Sequence, residues 1–401
     1  MEKKTILFIM PSMFIGGAER SLIGLLDSFD YNRYDVNLFL YRHEGEFIND
    51  IPKNVTLLPE MEKFRTFDVP IKDLLLSSKW LFGIARLFGK LAGSIHSHIK
   101  KEPKGIWMLM QYTSRYLLPL LPEIPGHYDL AVMFLGVGDV LVNKVQAKKK
   151  VTWNHTDYVT NNPDKKYDTF IFDRIDYIAS VSEQCTSQLL KVYPLLKQKA
   201  ITIENVLSES FLKNQSHKKA GELVAGKSNI SLLSIGRFSV QKNFDNVPVI
   251  CKKIIEKGID VKWYLIGYGS DEELIKNKIA ESEMEEYVII LGKKTNPYPY
   301  IKNCDIYVQP SRYEGKCVTV REAQMLHKPV IITNYATAAS QLTDGYDGII
   351  VPMDNEGCAD GIARVIRDKE LQQRLIANTK KNDYSNSQEI EKIYRIIEES
   401  E

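Results

Sequence analysis

The sequence predicts an α/β protein made of two doubly wound, Rossmann-like domains, each built on a parallel sheet. Three observations carry that prediction. Short apolar runs alternate with amphipathic stretches in the first half, the same rhythm returns more cleanly in the second, and 401 residues at 44% apolar exceed one ordinary domain.

The first half reads as strand over 5–10, helix over 18–29 and strand over 34–40, with further strands near 129–134, 149–153 and 176–181. The second half reads as strands near 230–235, 261–266, 287–291, 304–308 and 329–333, with helices over 243–258, 271–283 and 318–327. Lys213 to Gly221 is polar and reads as a solvated connection, so the junction falls near 207–225. The expected division is 1–207, 208–385 and a C-terminal helix, 386–401, that returns to the first domain. That last segment is amphipathic, with Ile390, Ile393, Ile396 and Ile397 at helical intervals. Ligands of open parallel sheets bind beyond the carboxyl ends of the strands, so two facing domains would share a cleft.

Residues 61–126 break the rhythm and read as an irregular, basic, amphipathic insertion. Leu76, Trp80, Ile84, Leu87, Leu91 and Ile95 share one helical face, and Lys79, Arg86 and Lys90 another. Between Lys79 and Lys104 six cations meet one acid, Glu102. The segment reads either as an interfacial helix on an anionic membrane surface through 79–104 or as a helix packed on the first domain. Its charges speak against a spanning helix.

Composition excludes other classes. Lysine plus arginine (53) nearly balances aspartate plus glutamate (51), so nothing in the net charge of +2 calls for nucleic acid. Cys185, Cys251, Cys304, Cys317 and Cys358 are odd in number and widely spaced. They fit neither a disulfide framework nor a zinc site, and a reducing, cytoplasmic compartment is expected. The apolar run Ile6 to Met10 is short and leads into Pro11, as a buried first strand does rather than a signal peptide.

Chemistry-bearing residues cluster at predicted strand ends. Gly16-Gly17-Ala18-Glu19 follows the first strand and opens a helix, which suits an anion, although a tight turn alone would also explain it. Arg237 leaves the strand Ser234-Ile235, and Lys242 follows five residues later. A guanidinium and an ammonium there can hold a diphosphate without a metal; plain surface solvation is the blander alternative. Glu314 and Glu322 lie across the turn after the strand Asp305 to Pro310, where carboxylates can accept bonds from sugar and ribose hydroxyls. No Asp-x-Asp occurs, and no metal or cofactor is expected.

Together these stretches resemble the family 4 retaining glycosyltransferases of GT-B fold, of the bacterial envelope or capsular polysaccharide type. The resemblance rests on Gly16 to Glu19, on Trp153-Asn154-His155, on Gly236-Arg237 with Lys242-Asn243, and on Asn296 to Asp305 leading into Glu314 through Glu322. It covers most of the chain, most tightly from 230 to 352. It implies that Arg237 and Lys242 bind the donor diphosphate, that Glu322 binds the ribose, and that Glu314 with the amides of Lys316, Cys317 and Val318 binds the transferred sugar beside Gly315. It further implies that His155 touches that sugar, that Gly16 and Gly17 lie near the phosphates and acceptor, and that Gly292 lies near the base. Lys316 and Cys317 depart from the aromatic or glycine common in the family after Glu-Gly. No base is evident for Cys317, so it is not read as a nucleophile.

The implied partners are a nucleotide-diphosphate sugar, with UDP expected, and a glycan or lipid-linked glycan acceptor. A GT-B nucleotide-sugar epimerase or phosphorylase, or an inactive nucleotide-sugar-binding protein, are the alternatives.

Overall fold

The computed structural model describes residues 3–14, 16–100, 106–155, 163–219, 229–314 and 317–399. The chain forms two compact units, 1–207 with 386–401, and 208–385.

In the first unit the strands are β1 (Lys4–Met10), β2 (Tyr34–Leu40), β3 (Thr56–Leu57), β4 (His127–Met133), β5 (Gln146–Asn154), β6 (Tyr177–Ser180) and β7 (Ala200–Thr202). They form one parallel sheet in the order β3-β2-β1-β4-β5-β6-β7. Parallel sheets are covered on both faces, so a central strand must be apolar on both sides. The run Ile6 to Met10 of β1 meets that need, and each of its five residues is fully buried. The helices are α1 (Gly17–Asp27), α2 (Ile71–Leu75), α3 (Trp80–Lys100), α4 (Ile106–Leu117), α5 (Asp139–Lys144), α6 (Lys165–Phe172) and α7 (Glu183–Val192). Side-chain caps start two of them: Asp164 accepts from the Lys166 amide and Ser182 from the Cys185 amide.

The second unit contains β8 (Ile230–Ile235), β9 (Val261–Ile266), β10 (Val288–Gly292), β11 (Ile306–Gln309), β12 (Val330–Thr333) and β13 (Ile349–Val351), ordered β10-β9-β8-β11-β12-β13 and parallel throughout. Its helices are α8 (Glu209–Ser216), α9 (Val247–Glu256), α10 (Glu272–Glu281), α11 (Tyr298–Asn303), α12 (Val318–Met325), α13 (Ala338–Gln341), α14 (Asn355–Arg367) and α15 (Lys369–Thr379). The core on one side of the sheet joins Trp263 and Val308 to Ile254, Ile362 and Leu375, all buried.

The last helix, α16 (Ile390–Glu398), belongs to the first unit. Its Ile390, Ile393, Tyr394, Ile396 and Ile397 are buried. The Tyr394 ring stacks on Tyr34 at 4.6 Å, and its hydroxyl accepts a hydrogen bond from the Asp30 amide at 2.8 Å.

Two expectations are corrected. Lys213 to Ser216 is not a solvated connection but the end of α8, where Gln215 and Ser216 are buried. Among the described residues of 61–126 the irregular stretch expected there is largely helical: α3 and α4 pack together as a pair preceded by the short α2. Arg86 of α3 donates to the carbonyls of Thr66 (2.9 Å) and Val69, and Lys79, just before α3, pairs with Glu62 at the surface, so two cations of the expected basic face are engaged by the chain itself. Of the large apolar residues of α3, Phe82 is buried, while Trp80, Leu81, Leu87, Phe88, Leu91, Ile95 and Ile99 are exposed.

Candidate functional site

In the second sheet β8 and β11 are neighbours, yet the chain leaves β8 for β9 and β11 for β12, on opposite sides. Such a reversal opens a crevice at the carboxyl ends of the two strands. The described residues that rise from it are 236–243, 310–314 and 317, which hold four of the expected site residues, Arg237, Lys242, Glu314 and Cys317.

The two segments are tied together before any ligand is considered. Asn243 adopts a left-handed conformation (φ 60°) that turns its side chain back to donate to the Pro310 carbonyl at 2.9 Å. Arg312 grips Asp245 with two bonds of 2.9 and 2.7 Å and also donates to the Val240 carbonyl. Gly267, at φ 155°, lies so close to the Gly236 carbonyl that a Cβ would stand 1.9 Å from its oxygen, so only glycine fits. Gly292 ends β10 at φ 70°, and its carbonyl accepts from the Gly267 amide at 3.1 Å.

Across this frame the Lys242 ammonium meets Glu314 Oε1 at 2.6 Å. Glu314 also accepts from Ser311 Oγ (2.6 Å) and Gln241 Nε2 (3.0 Å). The two charged side chains retain 14% and 5% of their exposure. Burial works against the Lys242 charge, but the facing Cys317 sulfur and Glu314 carboxylate outweigh it, and the Lys242 pKa is raised. The lysine chain lies along Gly236, where a Cβ would come within 3.0 Å of its Cδ and Cε. Arg237 is exposed, and among the described residues no carboxylate forms an ion pair with it.

Cys317 caps the start of α12 and is 4% exposed. Burial pushes its thiol above the ordinary cysteine range, which leaves it protonated and unreactive at neutral pH. One expectation fails here: the Cys317 amide is not free for a sugar, because it donates to Gln341 Oε1 at 2.7 Å. Val318 opens α12 and is exposed. Gly315 and Lys316 lie outside the described residues. Glu322, on α12, is fully buried and accepts from the Tyr298 hydroxyl at 2.8 Å. A carboxylate so deep must be held by donors, and Tyr298 on α11 is one.

In the first sheet the equivalent reversal falls between β1 and β4. Gly16 and Gly17 follow β1, and the Glu19 carboxylate folds back over Gly16, where a Cβ would sit 2.0 Å from its Oε2. Burial raises the Glu19 pKa, although the helix backbone and Arg20 oppose the shift. The Glu19 carboxyl thus already stands at the start of α1, while Gly17 faces open space.

His155 follows β5. Its Nε2 lies 2.8 Å from the Phe134 carbonyl and its ring meets the Phe134 ring edge-on at 4.8 Å. A carbonyl only accepts, so Nε2 carries the hydrogen and Nδ1 keeps its lone pair. Burial lowers the His155 pKa to about 4, and the ring is neutral at pH 7. It lines a small cavity with Trp107, Gly136, Thr152 and Asp168.

Sequence reasoning missed Gln241, Ser311, Arg312 and Gln341. Gln241, Arg312 and Gln341 find partners distant in sequence, which no local pattern announces, whereas Ser311 bonds to Glu314 only three residues on.

Comparison with known proteins follows the same lines. Residues 215–382 match the model of the glycosyl transferases group 1 family. An uncharacterized glycosyltransferase of Methanocaldococcus jannaschii is 25% identical over 378 residues, 93% of this chain and 92% of that protein. The capsular polysaccharide biosynthesis glycosyltransferase CapM of Staphylococcus aureus is 29% identical over 180 residues, 42% of this chain and 46% of that protein. Among solved structures, an S. aureus TarM mutant in complex with fondaparinux, alpha-GlcNAc-glycerol and UDP superposes with a TM-score of 0.62 at 14% identity, covering 98% of this chain and 99% of that one. At that identity the likeness bears on fold, and the fold is GT-B.

Proposed function

The chain is a GT-B protein whose residues 215–382 match the glycosyl transferases group 1 family, and from that premise we propose a retaining glycosyltransferase. In this reading it moves a hexose or N-acetylhexosamine from a UDP-sugar to a glycan or lipid-linked glycan acceptor during polysaccharide assembly in a reducing compartment. The observation that carries the reading is the buried Lys242–Glu314 pair above the strand reversal, a cation and a carboxylate brought to one point with Gln241 and Ser311. A nucleoside-diphosphate sugar presents both complementary groups, phosphate oxygens and hydroxyls.

On donor arrival Lys242 turns its ammonium to the diphosphate, joined by the exposed Arg237, and Glu314 takes sugar hydroxyls in exchange. The bond from the anomeric carbon to the phosphate oxygen breaks with its electron pair leaving on the diphosphate. The acceptor oxygen attacks from the same face, and its proton passes to the departing phosphate oxygen. The two cations stabilise the charge that accumulates there, which is the step where electrostatic catalysis acts. Glu322 holds the ribose, with the Tyr298 hydroxyl orienting its carboxylate. His155, neutral at working pH, offers Nδ1 as an acceptor to a sugar hydroxyl. Gly17 and Gly292 leave room for backbone to approach the donor, and Gly16 does so once the Glu19 carboxyl swings away.

The test is incubation with a panel of nucleotide sugars and glycan acceptors, with the product read by NMR. Transfer with the donor's anomeric configuration kept supports the proposal; an inverted product overturns the retaining mechanism. Conversion of the donor with water or inorganic phosphate alone returns the protein to the epimerase or phosphorylase reading.

A further inference from the structure

The helix α3 is amphipathic in the reverse of the usual sense. Its inward side is small: a Cβ on Gly89 would stand 2.8 Å from Thr113 Cα, and one on Gly93 would stand 3.2 Å from Leu109 Cδ2, both on α4. These glycines let the two helix backbones approach closely, and Ser97 is buried on the same side. Apart from Phe82, which is buried in the core of the first unit, the bulky residues are left largely outside. Trp80 is 49% exposed, Phe88 55%, Leu91 50%, Ile95 58% and Ile99 71%, with Leu81 and Leu87 between them. They occupy one continuous face over about 30 Å of helix. An apolar stripe of that length facing water costs solubility and marks a docking surface.

Charge identifies what covers it. Neither Trp80–Lys100 nor Ile106–Leu117 contains an aspartate or glutamate. Lys90 and Arg115 are exposed on them, and of the acids that precede α3 Asp68 is taken by Arg42 and Glu62 by Lys79. Trp80 and Phe88 on α3 and Tyr116 on α4 add exposed aromatic rings of the kind that settle at the headgroup level. No helix among the described residues is long and apolar enough to cross a membrane. We propose that α3 lies in the plane of an anionic lipid bilayer, with its apolar stripe among the acyl chains and Lys90 and Arg115 among the headgroups. Lys79 and Arg86 hold the helix to 62–69 and take no part in lipid contact.

The inference stands apart from the transferase reading, since it rests on a different surface. Cosedimentation of the full chain with vesicles of equal parts phosphatidylglycerol and phosphatidylcholine tests it, beside vesicles of phosphatidylcholine alone. The wild-type protein is expected to sediment with the anionic vesicles. Leu91→Glu with Ile95→Glu is expected to lower binding by roughly tenfold or more. Lys90→Glu with Arg115→Glu is expected to lower it on anionic vesicles by at least about fivefold, and to change little on neutral ones. All four positions are exposed, and circular dichroism checks that the variants fold. Wild-type protein left in the supernatant, or an apolar variant that sediments as well as wild type, overturns the proposal. So does a wild-type dimer that ignores vesicles and becomes monomeric in the Leu91→Glu, Ile95→Glu variant, since the stripe is then a contact between copies. Thermal stabilisation by UDP, measured on the same preparations, separates failure of this proposal from failure of the donor-site reading.

Discussion

The ammonium of Lys242 and the carboxylate of Glu314, seventy-two residues apart in the chain, meet at 2.6 Å with almost no access to water. The pair is both a structural element and the proposed donor site, and the two roles make separable demands. Removing one partner of a buried ion pair leaves an uncompensated charge and costs roughly 3–5 kcal/mol. Glu314→Gln and Lys242→Met are each expected to lower the melting temperature, and the double variant is expected to recover part of the loss. Calorimetry on the four proteins of that cycle checks it; strictly additive losses would mean that the pair is not coupled.

The neutral His155 sets a pH dependence with a definite sign. Its folded pKa of about 4 lies below the ordinary value of 6.5, so between these pH values the unfolded chain binds the proton and the folded chain does not. Stability from this group is therefore present above 6.5 and lost as pH falls toward 4. His155→Gln is expected to gain on wild type by about 2 kcal/mol between pH 7 and pH 5. The urea-unfolding transition of the first unit at the two pH values reads the difference. Asp139 acts in the opposite direction, because burial raises its pKa to about 6 and its contribution is lost as pH rises through that value. It is common to both proteins and cancels in the comparison.

Cys317 makes a chemical prediction. A buried thiol with a raised pKa alkylates slowly, and no covalent step passes through it. Cys317→Ser is expected to keep transfer within about threefold of wild type, and iodoacetamide is expected to inactivate the native enzyme only slowly. A collapse of kcat in the serine variant would show a nucleophilic role.

In the proposed donor site Tyr298 acts through Glu322. Its hydroxyl donates to the Glu322 carboxylate at 2.8 Å, a hydrogen bond to a charged group. Loss of such a bond costs roughly 1.5–3 kcal/mol. Tyr298→Phe is expected to raise the donor KM by about tenfold with a smaller change in kcat. An unchanged KM, with only stability lost, would confine Glu322 to a structural role.

Proposed neutralisation of the diphosphate by Lys242 and Arg237 calls for no divalent cation. Transfer is expected to survive EDTA with its rate unchanged. Loss of activity in EDTA, restored by magnesium or manganese, would contradict this part of the mechanism.

The sheets were largely legible because their central strands are short, predominantly apolar runs bounded by polar segments. The strands expected at 34–40, 230–235 and 261–266 form at those residues. The short strands β3, β7 and β13 were not, since two or three residues carry no periodicity. At the site, Lys242 and Glu314 were legible as types beside strand ends, but their pairing was not, for it depends on β8 and β11 becoming neighbours. Of the six residues expected on one helical face, Trp80, Ile84, Leu87, Leu91 and Ile95 lie on α3, whereas Leu76 falls before it at the end of α2. Which way that face points was not readable, because glycines at 89 and 93 let the opposite side pack instead.

Isothermal titration of UDP into the full chain and into its Lys242→Met variant tests the central claim most directly. The account predicts a single site whose affinity falls at least about tenfold in the variant, in line with a lost charge-assisted bond. Equal affinity in the two proteins would contradict it.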